Sequence, residues 1–254
     1  MDTRTRLDRL RPMSQQVLVT GSSGKVGRAV VAELQRRGHD VRGFDRIPSA
    51  EFPSTLLGNL SDRAALDRAL SGVQCLVHLA ATPDDADFLT ELLPNNLVGL
   101  YHVLEAARAA GVRRIVLASS GQVNWWQQIG GNIPVHEHQP VSPRGWYAAT
   151  KMFLEAAGHG YSELHGISVI VTRLGWCPRP GQEEEIRATE WAHDVYLSPI
   201  DAGRFFAHCV EAPETIRFLI VNGTSKPVRE TRLDMTVART VLGYEPLEQW
   251  PEGM

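Results

Sequence analysis

The chain has 254 residues, of which 43% are hydrophobic and 22% are charged, so it is long enough to bury the core of one α/β domain. Its formal net charge is −3 at pH 7, and its basic residues never run longer than pairs such as Arg36-Arg37. This balance argues against a nucleic-acid partner and favours a small-molecule substrate. We expect a single domain over residues 1–254.

Residues 1–14 are mostly polar and lack the apolar run of about 7–15 residues that a signal peptide requires. We expect a loose extension there and no membrane span. The cysteines Cys75, Cys177 and Cys209 are far apart and form no C-x-x-C pair, which is typical of reduced thiols in a cytoplasmic protein.

The stretch from Gln16 to Arg28, QVLVTGSSGKVGR, predicts a buried strand, a glycine turn and the start of a helix. Gly21 permits the tight turn, Gly24 lets the backbone approach a pyrophosphate, and Gly27 allows the helix to pack closely on the sheet. The N–H groups and the dipole of the helix start then face the phosphates. The pattern predicts a dinucleotide site, to which we also assign Ser23, Lys25 and Val26.

Asp45 ends the second strand-like run, VRGFD, at about the distance expected for an acidic residue that binds the adenosine ribose. A carboxylate there accepts hydrogen bonds from the ribose diol and repels a 2′-phosphate, which favours NAD over NADP. Arg46 follows directly, and it either pairs with a phosphate or lies in solvent near the adenine.

The rest of the chain alternates between strands and helices. Further strands are predicted before Asn59-Leu60 and over Cys75–Leu79, Arg114–Ser120, Ser168–Arg173 and Ile216–Val221. Helices are predicted after Ser61 or Asp62, over 87–111 with a kink or a late start at Pro94, over 144–164, over 201–211 and near 230–242. This alternation predicts an α/β fold with a doubly wound parallel sheet, the Rossmann fold.

Two irregular segments, residues 121–143 and 174–199, interrupt the alternation. Such long connections inside a compact domain are usually functional, so we expect them on the substrate side, with a small C-terminal region that covers the substrate. Five of the six tryptophans lie in or beside these segments, where their rings either contact a sugar or other cyclic ligand or pack the loops down: Trp125, Trp126, Trp146, Trp176 and Trp191.

Tyr147 and Lys151 lie four residues apart on the helix after the first irregular segment, so both side chains emerge on one face. A nearby ammonium stabilises a phenolate and lowers its pKa toward the range of a general base. The preceding strand ends in Ser119-Ser120, at the edge of the sheet where the carboxyl ends and the cofactor meet. We therefore interpret Tyr147 and Lys151 as a catalytic pair rather than a surface pair.

The motifs TGSSGKVG, the acidic strand end, HLAA, NNLVG, the strand ending ASS and YAATK resemble the short-chain dehydrogenase/reductase superfamily, in its extended or epimerase-like branch, over nearly the whole chain. The run NLVGLYHVLEAARAAGVRRIVLASS and the tail RLGWCPRP look most like uronate dehydrogenases, which oxidise the anomeric hydroxyl of a hexuronic acid to a lactone with NAD. The resemblance implies a catalytic triad of Ser120, or alternatively Ser119, with Tyr147 and Lys151. It also implies cofactor or relay positions at Asn59, Leu60, Leu79, Ala80, Ala81, Asn96, Tyr147 and Lys151, besides the glycine turn and Asp45.

The sequence departs from the uronate dehydrogenase pattern where specificity should be decided. Ser120 is followed by Gly121-Gln122 where that family is expected to have Asn-His, and Trp176 takes the position of a small hydroxyl residue. We expect all four residues to contact the substrate, and we expect the apolar plate of Trp176 to disfavour glucuronate and galacturonate.

Arg187 is the candidate to bind a substrate carboxylate bidentately, or else it is a solvated helix arginine paired with a nearby glutamate. His136 and His138 have no clear third ligand, so we interpret them as part of a solvated loop and predict no metal site.

The sequence thus predicts an NAD-dependent oxidoreductase that acts on a small cyclic polyol or sugar acid, as a homo-oligomer. A sugar epimerase or dehydratase that keeps its NAD ranks second, because little chain follows the sheet to build a nucleotide-sugar domain. A non-catalytic NAD-sensing protein would be expected to lose Tyr147 or Lys151, and both are present.

Overall fold

The computed structural model describes residues 14–251, and most of the expected loose extension, 1–14, lies outside the described residues. The strands are β1 (Gln16–Thr20), β2 (Asp40–Asp45), β3 (Leu56–Leu57), β4 (Cys75–His78), β5 (Arg114–Ser120), β6 (Ser168–Leu174) and β7 (Phe218–Gly223). The α-helices are α1 (Lys25–Arg36), α2 (Arg63–Leu70), α3 (Gly99–Ala109), α4 (Trp125–Ile129), α5 (Trp146–His165), α6 (Glu183–Ala188), α7 (Pro199–Val210) and α8 (Thr236–Leu242).

The seven described strands form one parallel sheet in the order β3-β2-β1-β4-β5-β6-β7. The chain runs outward from β1 through β2 and β3, then crosses back to place β4 on the other side of β1. The strand order therefore reverses between β1 and β4, and a crevice opens there at the carboxyl ends of the strands. The predicted doubly wound α/β sheet is confirmed.

The core consists of two layers because side chains along each strand alternate between the faces of the sheet. Val17 and Val19 of β1 pack in the layer that contains α1 and α7, whereas Leu18 packs in the opposite layer with α2, α3 and α5. All three side chains are fully buried. Burial on both faces explains why the central strands are continuous apolar runs rather than alternating ones.

Pro94 does not interrupt the helix predicted over 87–111. Residues Phe88–Val98 form π-helical turns that lead directly into α3, and the Gly99 N–H donates to the Pro94 carbonyl five residues earlier. The wider turn accommodates the proline ring and its missing N–H group. Asp87 caps the start of this segment by accepting a hydrogen bond from the Thr90 N–H at 2.8 Å.

The last helix begins at Thr236 rather than near residue 230, because the preceding backbone pairs with the first irregular segment. The Val135 N–H donates to the Arg232 carbonyl at 2.8 Å, and the Asp234 N–H donates to the Val135 carbonyl at 2.9 Å. The Asp234 carboxylate then accepts a hydrogen bond from the Thr236 N–H at 2.8 Å and so starts α8.

The two irregular segments cover the carboxyl ends of the strands and contain the short helices α4 and α6. Backbone hydrogen bonds attach the second segment to the sheet and to itself: Gly175 donates to Gly223 at 2.9 Å, and Trp176 donates to Val195 at 2.7 Å. Within residues 14–251, no helix is both long and apolar enough to cross a membrane.

Gly203 and Gly160 allow a matched test of the helix packing. A Cβ at Gly203 of α7 would lie 2.6 Å from the Ala29 carbonyl oxygen of α1, whereas a Cβ at Gly160 of α5 would meet nothing within 4 Å. We expect Gly203→Ala to lower the free energy of unfolding by about 1–3 kcal/mol through overpacking. Gly160→Ala should raise it by about 0.4–1 kcal/mol, because alanine has less conformational freedom to lose on folding. Denaturant titration measures both, and equal effects would contradict the assigned contact.

Candidate active site

A cavity of about 700 Å³ opens at the carboxyl ends of β1 and β4. Most of the residues assigned to the cofactor from the sequence line this cavity, namely Gly21, Gly24, Lys25, Val26, Gly27, Asp45, Asn59, Leu60, Leu79, Ala80, Ala81 and Tyr147. The predicted substrate residues Ser120, Gly121, Gln122 and Trp176 line it as well. Residues that are far apart in the sequence thus line the same cavity.

The glycine turn fits the pyrophosphate of a dinucleotide. Gly21 has a φ of 71°, and a Cβ there would lie 2.8 Å from the Ala80 backbone nitrogen. A Cβ at Gly27 would overlap the Gly21 carbonyl oxygen, so helix and turn pack as closely as predicted. The first turn of α1, which includes Lys25, lines the cavity, so the positive end of the helix dipole faces it.

Asp45 is held in place at the end of β2 by two backbone N–H groups. Its carboxylate accepts hydrogen bonds from Ser23 at 2.9 Å and from Ile47 at 3.2 Å. Ser23 is buried and does not line the cavity. Its hydroxyl donates to the Ile47 carbonyl at 2.8 Å, so Ser23 positions Asp45 and the residues after it rather than the cofactor itself. Arg46 is exposed and lines the same end of the cavity.

Asn96 lies behind the cavity wall rather than on it. Its side chain is buried, and it accepts a hydrogen bond from the Thr82 N–H at 2.8 Å. Its amide nitrogen donates to the Thr82 carbonyl and to the Thr150 hydroxyl, each at 3.1 Å. Asn96 therefore attaches the loop after β4 to α5, which carries the predicted catalytic pair.

Strand alternation distinguishes the two candidate serines at the end of β5. The buried Ser119 hydroxyl donates to the Glu155 carboxylate at 2.6 Å. Ser120 points the other way: its oxygen accepts a hydrogen bond from the Gln122 N–H at 3.2 Å, and its hydroxyl lies close enough to the Tyr147 phenol to lower the pKa of that group. The geometry thus brings Ser120, not Ser119, to the tyrosine.

Tyr147 and Lys151 lie on one face of α5, as the spacing predicts. The Lys151 ammonium is 5.5 Å from the centre of the Tyr147 ring and donates to the Ala118 carbonyl at 2.8 Å. The backbone N–H of Tyr147 donates to the Asp85 carboxylate at 2.9 Å. Helix, strand end and loop together fix the tyrosine at the cavity wall.

The pKa of Tyr147 is shifted in the direction opposite to the one expected from the sequence. Burial raises it to about 12; the Asp84 carboxylate adds to that shift, whereas the hydrogen bond from Ser120 and the charge of Arg179 oppose it. Burial lowers the pKa of Lys151 to about 8. The expectation of a lowered tyrosine pKa was wrong for the protein alone, because loss of hydration outweighs the favourable interactions.

The structure does not bring Arg187 into the cavity, since its side chain is exposed and does not line the wall. Besides Arg46 at the Asp45 end, two other arginines line it. Arg179 donates to the Asp84 carboxylate at 3.4 Å, and the Arg144 guanidinium lies 4.6 Å from the centre of the Trp125 ring.

Sequence reasoning missed Asp84, Arg144 and Arg179, although a signal for each was present. Asp84 lies in the loop that follows β4, and residues beyond the carboxyl ends of parallel strands line the ligand crevice. Arg179 is part of the sequence CPRP, which lies inside the second irregular segment predicted on the substrate side. Arg144 comes shortly before Tyr147 in the sequence.

Three of the five tryptophans form an aromatic wall, defined by Trp125, Trp176 and Trp191, and all three line the cavity. The rings of Trp125 and Trp191 meet edge to face at 5.2 Å, and those of Trp176 and Trp191 are 6.5 Å apart. Trp126 and Trp146 are exposed. The cavity therefore offers apolar faces opposite its polar residues, as a ring-shaped ligand requires.

His136 and His138 stack on one another with ring centres 5.4 Å apart, and His136 lies 3.6 Å from the Asp234 carboxylate. Across residues 14–251, no three side chains from His, Cys, Asp and Glu are grouped so that they could hold a metal ion.

The chain is similar to known sugar and uronate dehydrogenases in sequence and in fold. Among curated proteins, an L-arabinose 1-dehydrogenase (NAD(P)(+)) from Haloferax volcanii is 30% identical over 91% of this chain and 96% of its own. A uronate dehydrogenase from Pseudomonas putida is 28% identical over 75% of this chain and 71% of its own. Among solved structures, a mutant of the Agrobacterium tumefaciens uronate dehydrogenase in complex with NAD superposes with a TM-score of 0.76, at 25% identity, over 92% of this chain and 85% of that one.

Residues 17–188, more than half of the chain, match the NAD dependent epimerase/dehydratase family. The glycine turn, the acidic end of β2 and the crevice between β1 and β4 are the structural features that this match predicts for NAD. The chain belongs to the NAD-dependent epimerase/dehydratase family.

Proposed function

We propose that this protein is an NAD-dependent dehydrogenase that oxidises a hydroxyl group of a small cyclic polyol or sugar acid. The observation that carries the proposal is that Ser120 and Tyr147 both line the cavity, with the Lys151 ammonium 5.5 Å from the centre of the Tyr147 ring. Two relatives named for L-arabinose and uronate support a substrate of this class.

In the proposed mechanism, Ser120 orients the substrate oxygen and the Tyr147 phenolate accepts the hydroxyl proton. As the proton leaves, the C–O bond becomes C=O and the electron pair of the C–H bond at the same carbon leaves as hydride. NAD⁺ bound in the cavity would supply the hydride acceptor. Lys151 stabilises the phenolate through its positive charge and binds the cofactor ribose.

The aromatic wall and the glycine turn position the substrate and the cofactor and take no part in the proton transfer. The indole faces contact the ring of the substrate. The backbone N–H groups of the glycine turn and of the start of α1 would hold the pyrophosphate of the cofactor. Holding the reacting carbon at a fixed distance from the nicotinamide and from Tyr147 accounts for a large part of the rate enhancement in such enzymes.

A sugar epimerase with the same triad is the second candidate. That reaction begins with the same proton and hydride transfers, and the hydride is then returned to the opposite face of the same carbon. The two proposals differ in whether free NADH is released.

The homo-oligomer and the cytoplasmic location stay predictions. Exposed apolar side chains on neighbouring helices support the homo-oligomer, namely Leu89, Tyr101, Trp146, Phe153 and Leu164.

We expect Tyr147→Phe to abolish turnover while NADH binding changes little, because the hydroxyl transfers a proton and contributes little to cofactor affinity. Steady-state kinetics and fluorescence titration with NADH measure the two effects. Tyr101→Phe is the control, since Tyr101 is exposed on α3 outside the cavity, and it should retain activity. Substantial turnover by the Tyr147 variant would refute the mechanism.

We expect the unmodified protein to prefer NAD to NADP, and Asp45→Ala to narrow that preference by roughly tenfold, or about 1.4 kcal/mol, because the charge that repels the 2′-phosphate is removed. Titration with both cofactors measures the ratio. Asp40→Ala, at the other end of the same strand, should leave it unchanged. Equal affinities for NAD and NADP in the unmodified protein would overturn the assignment of Asp45.

The raised pKa of Tyr147 predicts that oxidation accelerates as the pH rises. The phenolate is the active form, and below its pKa each unit of pH increases that form about tenfold. We expect kcat/KM to rise from about pH 6 to about pH 8 and to flatten above it, where Lys151, whose pKa is lowered to about 8, loses its charge. A rate that falls over this range would exclude a phenolate base.

A further inference from the structure

Asp84 lies in the loop after β4 with an unusual backbone conformation. It is the one residue other than glycine with a positive φ, 67°, in the described part of the chain. This backbone conformation is unfavourable for L-residues, although aspartate tolerates it better than most. The loop nevertheless keeps a carboxylate here, on the wall of the cavity. Strained residues of this kind concentrate at ligand sites.

The Asp84 carboxylate is only loosely satisfied by its neighbours. Gln122 donates to one oxygen and Arg179 to the other, each at 3.4 Å, and the side chain is 39% exposed. The Asp85 N–H donates to the same oxygen as Gln122, at 3.0 Å. The two long contacts are weak, so Asp84 retains lone pairs for hydrogen bonds from a ligand.

Gln122 adds a second acceptor beside Asp84. Its amide turns the NH₂ group toward the carboxylate, so the carbonyl oxygen points away from Asp84. Its Oε1 is then buried, and no group in the described part of the chain donates to it. A buried carbonyl oxygen without a donor is costly, and Gln122 lines the cavity, so a small rotation of this side chain would bring its oxygen to a hydroxyl group of the ligand.

We infer that Asp84 and Gln122 are specificity residues that accept hydrogen bonds from hydroxyl groups of the substrate, and that the substrate is an uncharged hydroxylated ring rather than a sugar acid. The inference rests on the proposed function and names its substrate class. Ring hydroxyls supply the donors that both acceptors need. A carboxylate supplies none and places a second negative charge beside Asp84.

The arginines of the cavity do not reverse this preference. Arg179 donates to the Pro83 carbonyl at 3.1 Å and makes longer contacts, at 3.4 Å each, with Gln182 and Asp84. Arg144 lies over the Trp125 ring, and Glu185 adds another negative charge to the wall. The charges at the substrate end are thus balanced, and a sugar acid gains little there to offset repulsion by Asp84.

Binding to the enzyme–NADH complex tests the inference without turnover. Calorimetry compares D-glucose with D-glucuronate and D-galactose with D-galacturonate, pairs that share a ring and differ in the charge at C6. We expect each neutral sugar to bind about tenfold more tightly than its acid, because one charge repulsion in a partly hydrated site has about that effect. Asp84→Asn should remove most of the difference, and Asp87→Asn, outside the cavity, should leave it unchanged.

Tighter binding of the acids, with loss of that affinity in Arg144→Gln, would overturn the inference and assign the carboxylate to Arg144. An unchanged ratio in Asp84→Asn, or no binding of any of the four sugars, would overturn it too. None of these outcomes depends on catalysis, whereas the proposed function fails if Tyr147→Phe keeps its turnover. The two failures are therefore distinguishable.

Discussion

A buried contact between α5 and the end of β5 determines the geometry of the candidate site. The Lys151 ammonium donates to the Ala118 carbonyl at 2.8 Å, and the next residue of the strand, Ser119, donates to Glu155 at 2.6 Å. Lys151 and Glu155 are one turn apart, so two successive turns of the helix hold two successive residues of the strand. Ser120 and Tyr147, which neighbour these contacts on the strand and on the helix, both line the cavity.

The same contact connects the rigid sheet to the loops that cover it. Arg173 of β6 pairs with the Glu155 carboxylate through two hydrogen bonds, at 2.7 and 2.9 Å, and also donates to the Asn124 side chain and the Glu137 carbonyl. A buried ion pair adds little net stability but is costly to break from one side. The first irregular segment is therefore held against the strands that carry Ser119.

Sequence reasoning succeeded where local chemistry determines structure. The glycine turn, the acidic end of β2 and the spacing of Tyr147 and Lys151 each depend on a few adjacent residues. It failed where contacts distant in sequence decide the outcome: Asp84 and Arg179 meet only because two loops fold over the same crevice, and the sign of the Tyr147 pKa shift depends on burial by those loops. The choice between the serines also needed the direction of each side chain.

If the protein is a dehydrogenase, the hydride leaves the substrate permanently and appears in free NADH. A sugar deuterated at the carbon that bears the oxidised hydroxyl tests this most directly, with mass spectrometry of both products after incubation with the enzyme and NAD. We expect one deuterium in the released NADH for each molecule of carbonyl or lactone product formed. Deuterium that remains in a sugar of inverted configuration, without accumulation of NADH, would contradict it and identify an epimerase.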